Sequence, residues 1–195
     1  MAELLIAGIS HYPPLHGHDE RMSGILKHML QNPRLPERLR QPEGWPAAMR
    51  DEWGDDEGTT SARRHRELLV GWMRRVRAAI DDFRPDFVLI WGDDQYENFK
   101  EDVVPPYCLM APPSFGLGSP ASNVWGEDSY KRFRLAGDVQ AGKFLASGLI
   151  REGFDTAYSY KPLHHPLGHA FTNAILYLDY DRKGFDYPIL PFAVN

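Results

Sequence analysis

The feature that most constrains the fold is a short apolar run that leads directly into a cluster of acidic residues. Residues 87–90 are all apolar, and residues 93–97 hold three carboxylates and one carboxamide. An uninterrupted apolar run of this length is typical of a strand that is covered on both faces in a mainly parallel sheet. Such sheets bind ligands beyond the carboxyl ends of their strands. The acidic cluster is therefore a candidate site, and an acidic turn exposed to solvent is the alternative.

The remaining apolar patterns predict further strands separated by helices. Strands are predicted at residues 4–8, 157–160 and 187–194. Apolar residues at helical spacing predict helices at 68–83, from 128 or 129 to 150, and at 170–178. Residues 103–110 contain two prolines, which favours an edge strand or an extended segment. This alternation predicts an α/β fold, an open, doubly wound, mainly parallel sheet with helices on both faces.

Length and composition favour one domain over residues 1–195. The chain has 195 residues, of which 43% are hydrophobic, enough to form one core. Residues 32–60 are rich in Pro, Gly, Trp and acids and show no sustained period, so we predict a long loop insertion there, with a lid as one role. The last predicted strand is not followed by a covering helix. We therefore expect this domain to be the N-terminal part of a longer protein.

Charge and cysteine content exclude several classes of protein. The net charge of -5 lacks the basic footprint of nucleic-acid binding. The single cysteine excludes an intramolecular disulfide framework, and the N-terminus lacks the basic and apolar regions of a signal peptide. No apolar run approaches the roughly 20 residues that span a bilayer. We expect a cytoplasmic protein that binds neither nucleic acid nor membranes.

Histidines and carboxylates follow three of the predicted strands. His11 follows the first strand, the acidic cluster at 93–97 follows the second, and His164, His165 and His169 follow the third. Because parallel strands end at the same edge of a sheet, these side chains can converge on one ion. Two histidines and a carboxylate with open positions suit Fe(II) oxygen chemistry. The same donors suit zinc hydrolysis, and manganese is also compatible.

Two histidines are candidates for proton transfer. His169 opens a predicted helix, where the positive end of the helix dipole favours a neutral imidazole that can accept a proton. The alternative is that His169 only caps this helix. His165 is the second candidate, and its alternative role is to shape the turn beside Pro166.

Several motifs together resemble a known family. They are Ser10-His11-Tyr12-Pro13-Pro14-Leu15, Asp94-Gln95-Tyr96-Glu97-Asn98-Phe99, residues 103–109, Gly168-His169-Ala170-Phe171, and residues 188–195. In this order and spacing they resemble the class III extradiol ring-cleavage dioxygenases, the superfamily of the protocatechuate 4,5-dioxygenase catalytic subunit. The likeness is nearest to the catechol and dihydroxyphenylpropionate branch. It extends along the chain apart from residues 32–60.

The resemblance implies an enzyme that opens a catecholic ring with O2 at a non-heme Fe(II) site. It places His11 at the first iron ligand and His169 at an acid/base histidine. Gln95 falls where the family has its second ligand histidine. A glutamine oxygen is a weaker ligand than imidazole, so iron affinity should drop unless Asp94, Asp93 or Glu97 takes over. The candidate metal residues are therefore His11, Gln95, Asp94 and Glu97.

The chain also departs from the family at two other places. Gly168 replaces the aspartate that usually precedes the acid/base histidine, and the family's glutamate ligand and second catalytic histidine lie beyond the strand that ends at Asn195. The main hypothesis is an extradiol dioxygenase acting on a small aromatic diol and O2, as a homo-oligomer or with a partner subunit. The alternatives are a noncatalytic subunit that stabilises a catalytic partner, and a metal-dependent hydrolase.

Overall fold

The computed structural model describes residues 3–161 and 166–195, which contain six strands and six α-helices. The strands are β1 (Val88–Asp93), β2 (Tyr107–Met110), β3 (Ser114–Gly118), β4 (Arg132–Ala136), β5 (Thr156–Ser159) and β6 (Ile189–Val194). The helices are α1 (Asp19–Met22), α2 (Gly24–Leu30), α3 (Ala47–Trp53), α4 (Thr59–Phe83), α5 (Val139–Arg151) and α6 (His169–Leu178). Short 3-10 helices occur at Pro13–His16, Glu37–Leu39 and Pro42–Gly44.

The chain forms two compact units. The first comprises Met1–His11, Met73–Ser119 and Asp128–Asn195, and it contains both sheets. The second comprises Tyr12–Trp72 and Pro120–Glu127 and contains the short helices. A single domain over residues 1–195 stays a prediction.

The main sheet has four strands in the order β1-β6-β2-β5. β1 is parallel to β6 and β2 is parallel to β5, whereas β2 and β6 are antiparallel, with Cys108 opposite Ala193. The α/β class and the open sheet are therefore confirmed. The sheet is mixed, however, and a doubly wound parallel arrangement is not confirmed.

Two apolar clusters lie on opposite faces of this sheet. Ile189 of β6 belongs to one cluster with Phe171 and Ile175 of α6, and the next residue, Leu190, belongs to the other with Ala146 of α5. Successive side chains of a strand point to opposite faces, so helices cover the sheet on both sides. Complete burial of a residue such as Phe171 contributes about 2–3 kcal/mol. This packing holds the start of α6 beside the end of β1.

The predicted strand at residues 4–8 is wrong. These residues adopt no regular structure, and Leu4 and Ile6 are 81% and 82% exposed. An apolar run forms a strand only where a neighbouring strand pairs with it and a core covers it. His11 therefore follows an irregular segment rather than a strand.

The prediction that β1 is covered on both faces is also wrong. β1 is an edge strand of the main sheet, and Trp91 is 72% exposed while it stacks on Phe192 with ring centroids 5.5 Å apart. β2, in contrast, is an interior strand, whereas an edge strand or an extended segment is predicted from its sequence. Its two prolines, Pro105 and Pro106, precede the first paired residue, where a missing N–H removes no ladder bond.

Residues 32–60 are not one long loop. They contain α3 and two short 3-10 helices. Trp45 is buried, packs edge-to-face against Trp53 at 5.3 Å, and donates its Nε1–H to the carbonyl of Leu39 at 2.7 Å. The segment therefore has a small core of its own, built on an aromatic pair.

The sequence reasoning also missed the antiparallel hairpin of β3 and β4, in which Phe115 lies opposite Leu135. The helix predicted from residue 128 or 129 begins instead at Val139, where the Asp138 side chain accepts a hydrogen bond from the N–H of Ala141 at 2.8 Å. Among residues 3–161 and 166–195, no helix has both the length and the hydrophobicity of a membrane span.

Candidate functional site

Three polar side chains from distant parts of the chain meet beyond the carboxyl end of β1. His11 Nε2 lies 3.9 Å from Asp93 Oδ1, and the rings of His11 and His169 are 5.1 Å apart between centroids. The side chains of His11 and Asp93 are 40% and 46% exposed, so the cluster is open to solvent. The backbone of His11 is fixed because Asn173 of α6 donates its Nδ2–H to the His11 carbonyl at 3.1 Å.

Asp93 ends β1 and supplies the carboxylate of this cluster. Its pKa lies below the ordinary value, first because Gln95 Nε2 donates to its Oδ2 at 2.6 Å. Partial burial opposes this shift, and the electrostatic influence of the nearby His11 and His169 reinforces it. A carboxylate with a lowered pKa stays ionised at neutral pH, so Asp93 presents a fixed negative charge beside His11.

The acidic loop after β1 is closed by Asp94. The two carboxylate oxygens of Asp94 accept hydrogen bonds from the N–H groups of Asn98 at 2.8 Å and Phe99 at 3.0 Å. Within the turn Tyr96 has a φ of 57°, a left-handed conformation that is uncommon outside glycine. Asp94 therefore acts in the structure of the loop, and its oxygens face backbone donors.

Glu97 and Asn98 join this loop to the start of α6. Glu97 Oε2 accepts from the backbone N–H of His169 at 2.8 Å and lies 2.7 Å from His169 Nδ1. Asn98 accepts from the N–H of Gly168 at 2.9 Å and donates to the carbonyl of Pro166 at 3.0 Å. Because Glu97 satisfies one of the free N–H groups at a helix N-terminus, the contact suits a negative charge.

The structure brings some of the predicted site residues together and assigns others to different contacts. His11 and His169 share the cluster, Gln95 contacts Asp93 through its amide nitrogen, and Glu97 contacts His169. Among the metal ligands proposed from the sequence, Asp94 is engaged with backbone donors instead. The predicted catalytic His165 lies outside the described residues.

The sequence did not identify two residues of the site as important. Asp93 was one of three interchangeable carboxylates, although its position as the last residue of β1 distinguishes it. Asn173 was not singled out, and the signal was a carboxamide on an otherwise apolar face of α6. Its side chain is buried and holds His11, as a buried polar group must find a partner.

The described residues offer two of the donor groups that a metal site requires. His11 Nε2 and Asp93 Oδ1 face each other beyond hydrogen-bond distance and are two donors that one cation can share. An Fe(II) site of two histidines and a carboxylate needs a third donor. Among residues 3–161 and 166–195, no group of three or more His, Cys, Asp and Glu side chains is placed to hold a metal ion. These residues do not form a complete iron site by themselves.

Comparison with known proteins identifies curated relatives of this chain. No family model matches the chain. The chain is 32% identical over 128 residues to the 2,3-dihydroxyphenylpropionate/2,3-dihydroxicinnamic acid 1,2-dioxygenase 2 of Pseudomonas putida. This alignment covers 63% of the chain and 35% of the relative. The chain is 29% identical over 126 residues to the 2,3-dihydroxyphenylpropionate/2,3-dihydroxicinnamic acid 1,2-dioxygenase of Escherichia coli O139:H28. This alignment covers 64% of the chain and 35% of the relative.

The chain therefore spans about one third of the length of the curated relatives that it matches. These relatives are named as 2,3-dihydroxyphenylpropionate 1,2-dioxygenases, and an enzyme of that name is an extradiol dioxygenase of the class III type, the group indicated by the sequence motifs. The resemblance of this chain to the extradiol dioxygenases of the class III type is confirmed.

Proposed function

We propose that this chain forms part of an extradiol-type dioxygenase that opens the ring of a small catecholic substrate with O2. The observation that carries the proposal is the meeting of His11, Asp93 and His169 at the end of β1, in a chain similar to dihydroxyphenylpropionate dioxygenases. A pair of histidines beside a carboxylate is chemically suited to an aromatic diol, because the imidazoles can accept protons and the carboxylate stabilises an imidazolium that forms.

His169 is the proposed proton acceptor for a hydroxyl of the diol. Its Nδ1 faces Glu97, which leaves Nε2 as the ring nitrogen directed away from that carboxylate. A positioned base of this kind contributes about 10²–10⁴-fold to a rate. The open cluster beside it, lined by His11 and Asp93, is where the diol would lie.

Fe(II) is the metal we propose for the complete site. His11 and Asp93 would be this chain's donors, and the third donor would come from polypeptide outside the described residues. Two thirds of each relative's length lies outside the match, so additional sequence or a partner subunit is the proposed source. Bound Fe(II) would supply the open coordination positions that dioxygen chemistry requires.

The test is a ring-cleavage assay on the purified natural protein. Under anaerobic conditions the protein is loaded with Fe(II), its metal content is measured, and 2,3-dihydroxyphenylpropionate and O2 are then added. We expect a coloured ring-fission product and one O2 consumed per ring opened. His169→Ala should lower kcat about 10²–10⁴-fold. The exposed His18 is the matched control, and His18→Ala should leave kcat unchanged. Iron-loaded protein that consumes no O2 with this diol or with simple catechols would refute the proposal.

A noncatalytic subunit is the second candidate function, and Gln95 favours it. The Gln95 amide nitrogen donates to Asp93 at 2.6 Å, so the residue at the family's ligand position is engaged with a carboxylate. This candidate predicts that the chain binds no stoichiometric iron, has no turnover alone, and co-purifies with a paralogue that has the full ligand set. Stoichiometric iron and turnover in the isolated protein would exclude it.

A further inference from the structure

We propose that Glu97 is a positioning residue that sets the tautomer and the orientation of His169. The proposal deepens the proposed function, since it rests on His169 acting there as a proton acceptor. Sequence reasoning had treated Glu97 as a metal ligand, whereas the contacts of its carboxylate assign it to the histidine. Four features of the loop and of α6 support this role.

The first feature is the double contact of one carboxylate oxygen. Glu97 Oε2 lies 2.8 Å from the backbone nitrogen and 2.7 Å from Nδ1 of His169. An ionised carboxylate only accepts hydrogen bonds, so Nδ1 must carry the proton. A neutral imidazole has one N–H, and Nε2 is then left unprotonated. The Glu97 contact thus selects the tautomer that can accept a proton at Nε2.

The second feature is that the contact fixes the ring as well as the tautomer. The backbone nitrogen and Nδ1 belong to the same residue and converge on one oxygen atom, so rotation of the His169 side chain about its first two torsions would break the shorter contact. Glu97 and His169 are half-buried, with exposed fractions of 36% and 26%. A charge-assisted hydrogen bond that is partly shielded from water is stronger than one at the surface.

The third feature is the way the loop is built to present Glu97. Asp94 closes the turn through two backbone N–H groups, and Asn98 is bonded to both Gly168 and Pro166. Tyr96, directly before Glu97, keeps a left-handed φ of 57°. Backbone strain of this kind persists only where surrounding contacts impose it, and it concentrates at functional sites.

The fourth feature is the space at Gly168. A Cβ atom at this position would lie 3.0 Å from Glu97 Oε2 and 3.0 Å from Asn98 Oδ1. The backbone of Gly168, with φ -56° and ψ 155°, is accessible to any residue. Space rather than conformation therefore favours glycine there. A larger residue would press on the Glu97 carboxylate that contacts His169, so Gly168 leaves room for this contact.

The experiment measures the tautomer of His169 directly by long-range ¹H–¹⁵N correlation NMR on protein labelled with ¹⁵N-histidine. The spectra are recorded at a pH where the His169 ring is neutral. The wild-type His169 signal, assigned by its loss in His169→Gln, should show Nδ1 protonated. Glu97→Ala should shift the population towards the Nε2–H form that free imidazole side chains favour, and Glu97→Asp should retain part of the wild-type population. Glu101→Gln, at an exposed carboxylate four positions after Glu97 in the chain, is the control and should leave the spectrum unchanged.

Kinetics on the iron-loaded natural protein give the second readout. Glu97→Ala should lower kcat at least about tenfold with little change in KM, and Glu97→Asp should restore part of the loss. A wild-type tautomer in a folded Glu97→Ala variant would overturn the proposal, as would unchanged kcat in an active protein. If the wild-type protein shows no ring cleavage, the proposed function fails, and the tautomer measurement alone decides the role of Glu97.

Discussion

Gly142→Ala should destabilise the protein although alanine is the better helix former. Gly142 lies in α5, on the side that packs against the main sheet. A Cβ atom there would lie 2.3 Å from the Cβ of Ala111 and 3.2 Å from Leu190 Cδ1, and ordinary contacts begin at 3.4 Å. The helix or the chain after β2 would have to retreat by about 1 Å. Ala111 and Leu190 are completely buried, so neither has free space to yield.

The expected magnitude follows from two opposing effects. Alanine is about 1 kcal/mol more favourable than glycine in a helix interior. Overpacking of a close-packed interface costs about 1–3 kcal/mol, and a contact as short as the one with Ala111 belongs at the upper end. The free energy of unfolding should therefore fall by about 1–2 kcal/mol in the Gly142→Ala variant.

Urea unfolding followed by far-UV circular dichroism measures this change. The transition midpoint should fall with an unchanged m-value, because the surface exposed on unfolding is the same. Gly148→Ala is the matched control in the same helix, where nothing lies within 4 Å of the new methyl group. It should raise the free energy of unfolding by up to about 1 kcal/mol. Equal stabilisation by both substitutions would refute the packing argument.

Three further predictions concern other parts of the molecule. Asp19→Ala should lower the free energy of unfolding by about 1–2 kcal/mol at pH 7, because Asp19 bonds Arg66 at 2.8 Å. Partial burial opposes ionisation, but Arg66 and Arg63 hold the Asp19 pKa below its ordinary value. The difference in the free energy of unfolding between Asp19→Ala and wild type should therefore persist at pH values above that ordinary value. It should vanish as the pH falls through the pKa of Asp19 in the folded protein, and a pH-independent difference in urea titrations would contradict this. Tyr96→Val should lower stability by about 1 kcal/mol in thermal melts, because a β-branched residue tolerates a left-handed φ poorly, whereas Tyr96→Gly should not. Burial raises the pKa of Cys108 to about 12, so iodoacetamide at pH 8 should label this thiol only after unfolding, and rapid labelling of the folded protein would disprove its burial.

The parts of the fold that could be predicted are those set by local patterns. The helical period of residues 68–83 lies within α4, and the apolar runs at 87–90 and 187–194 overlap β1 and β6. The strand predicted at 4–8 had an equally clear pattern but failed, because pairing depends on distant chain segments that a local window does not contain. The β3 and β4 hairpin was missed for a related reason, since Gly116 and Gly118 weaken the strand signal.

The same distinction applies to the candidate site. His11 and His169 could be singled out because each occurs in a short motif beside an apolar segment. The role of Glu97 could not, because its contact with His169 depends on the left-handed turn at Tyr96 and on the absence of a side chain at Gly168. Spacing in the sequence shows which groups are near a strand end, whereas the conformation of the loop decides which of them meet.

The central position of β6 in the main sheet has a consequence for folding. β6 lies between β1 and β2, and its pairing with β1 joins Val88 to Ile189, about 100 residues apart in the chain. Closing a loop of that length costs about 4 kcal/mol of chain entropy before any contact compensates it. Sheets dominated by such pairings fold slowly. During synthesis, β1 and β2 lack their shared partner until residues 189–194 have emerged, and throughout that interval the apolar segment of β1 can pair with other chains.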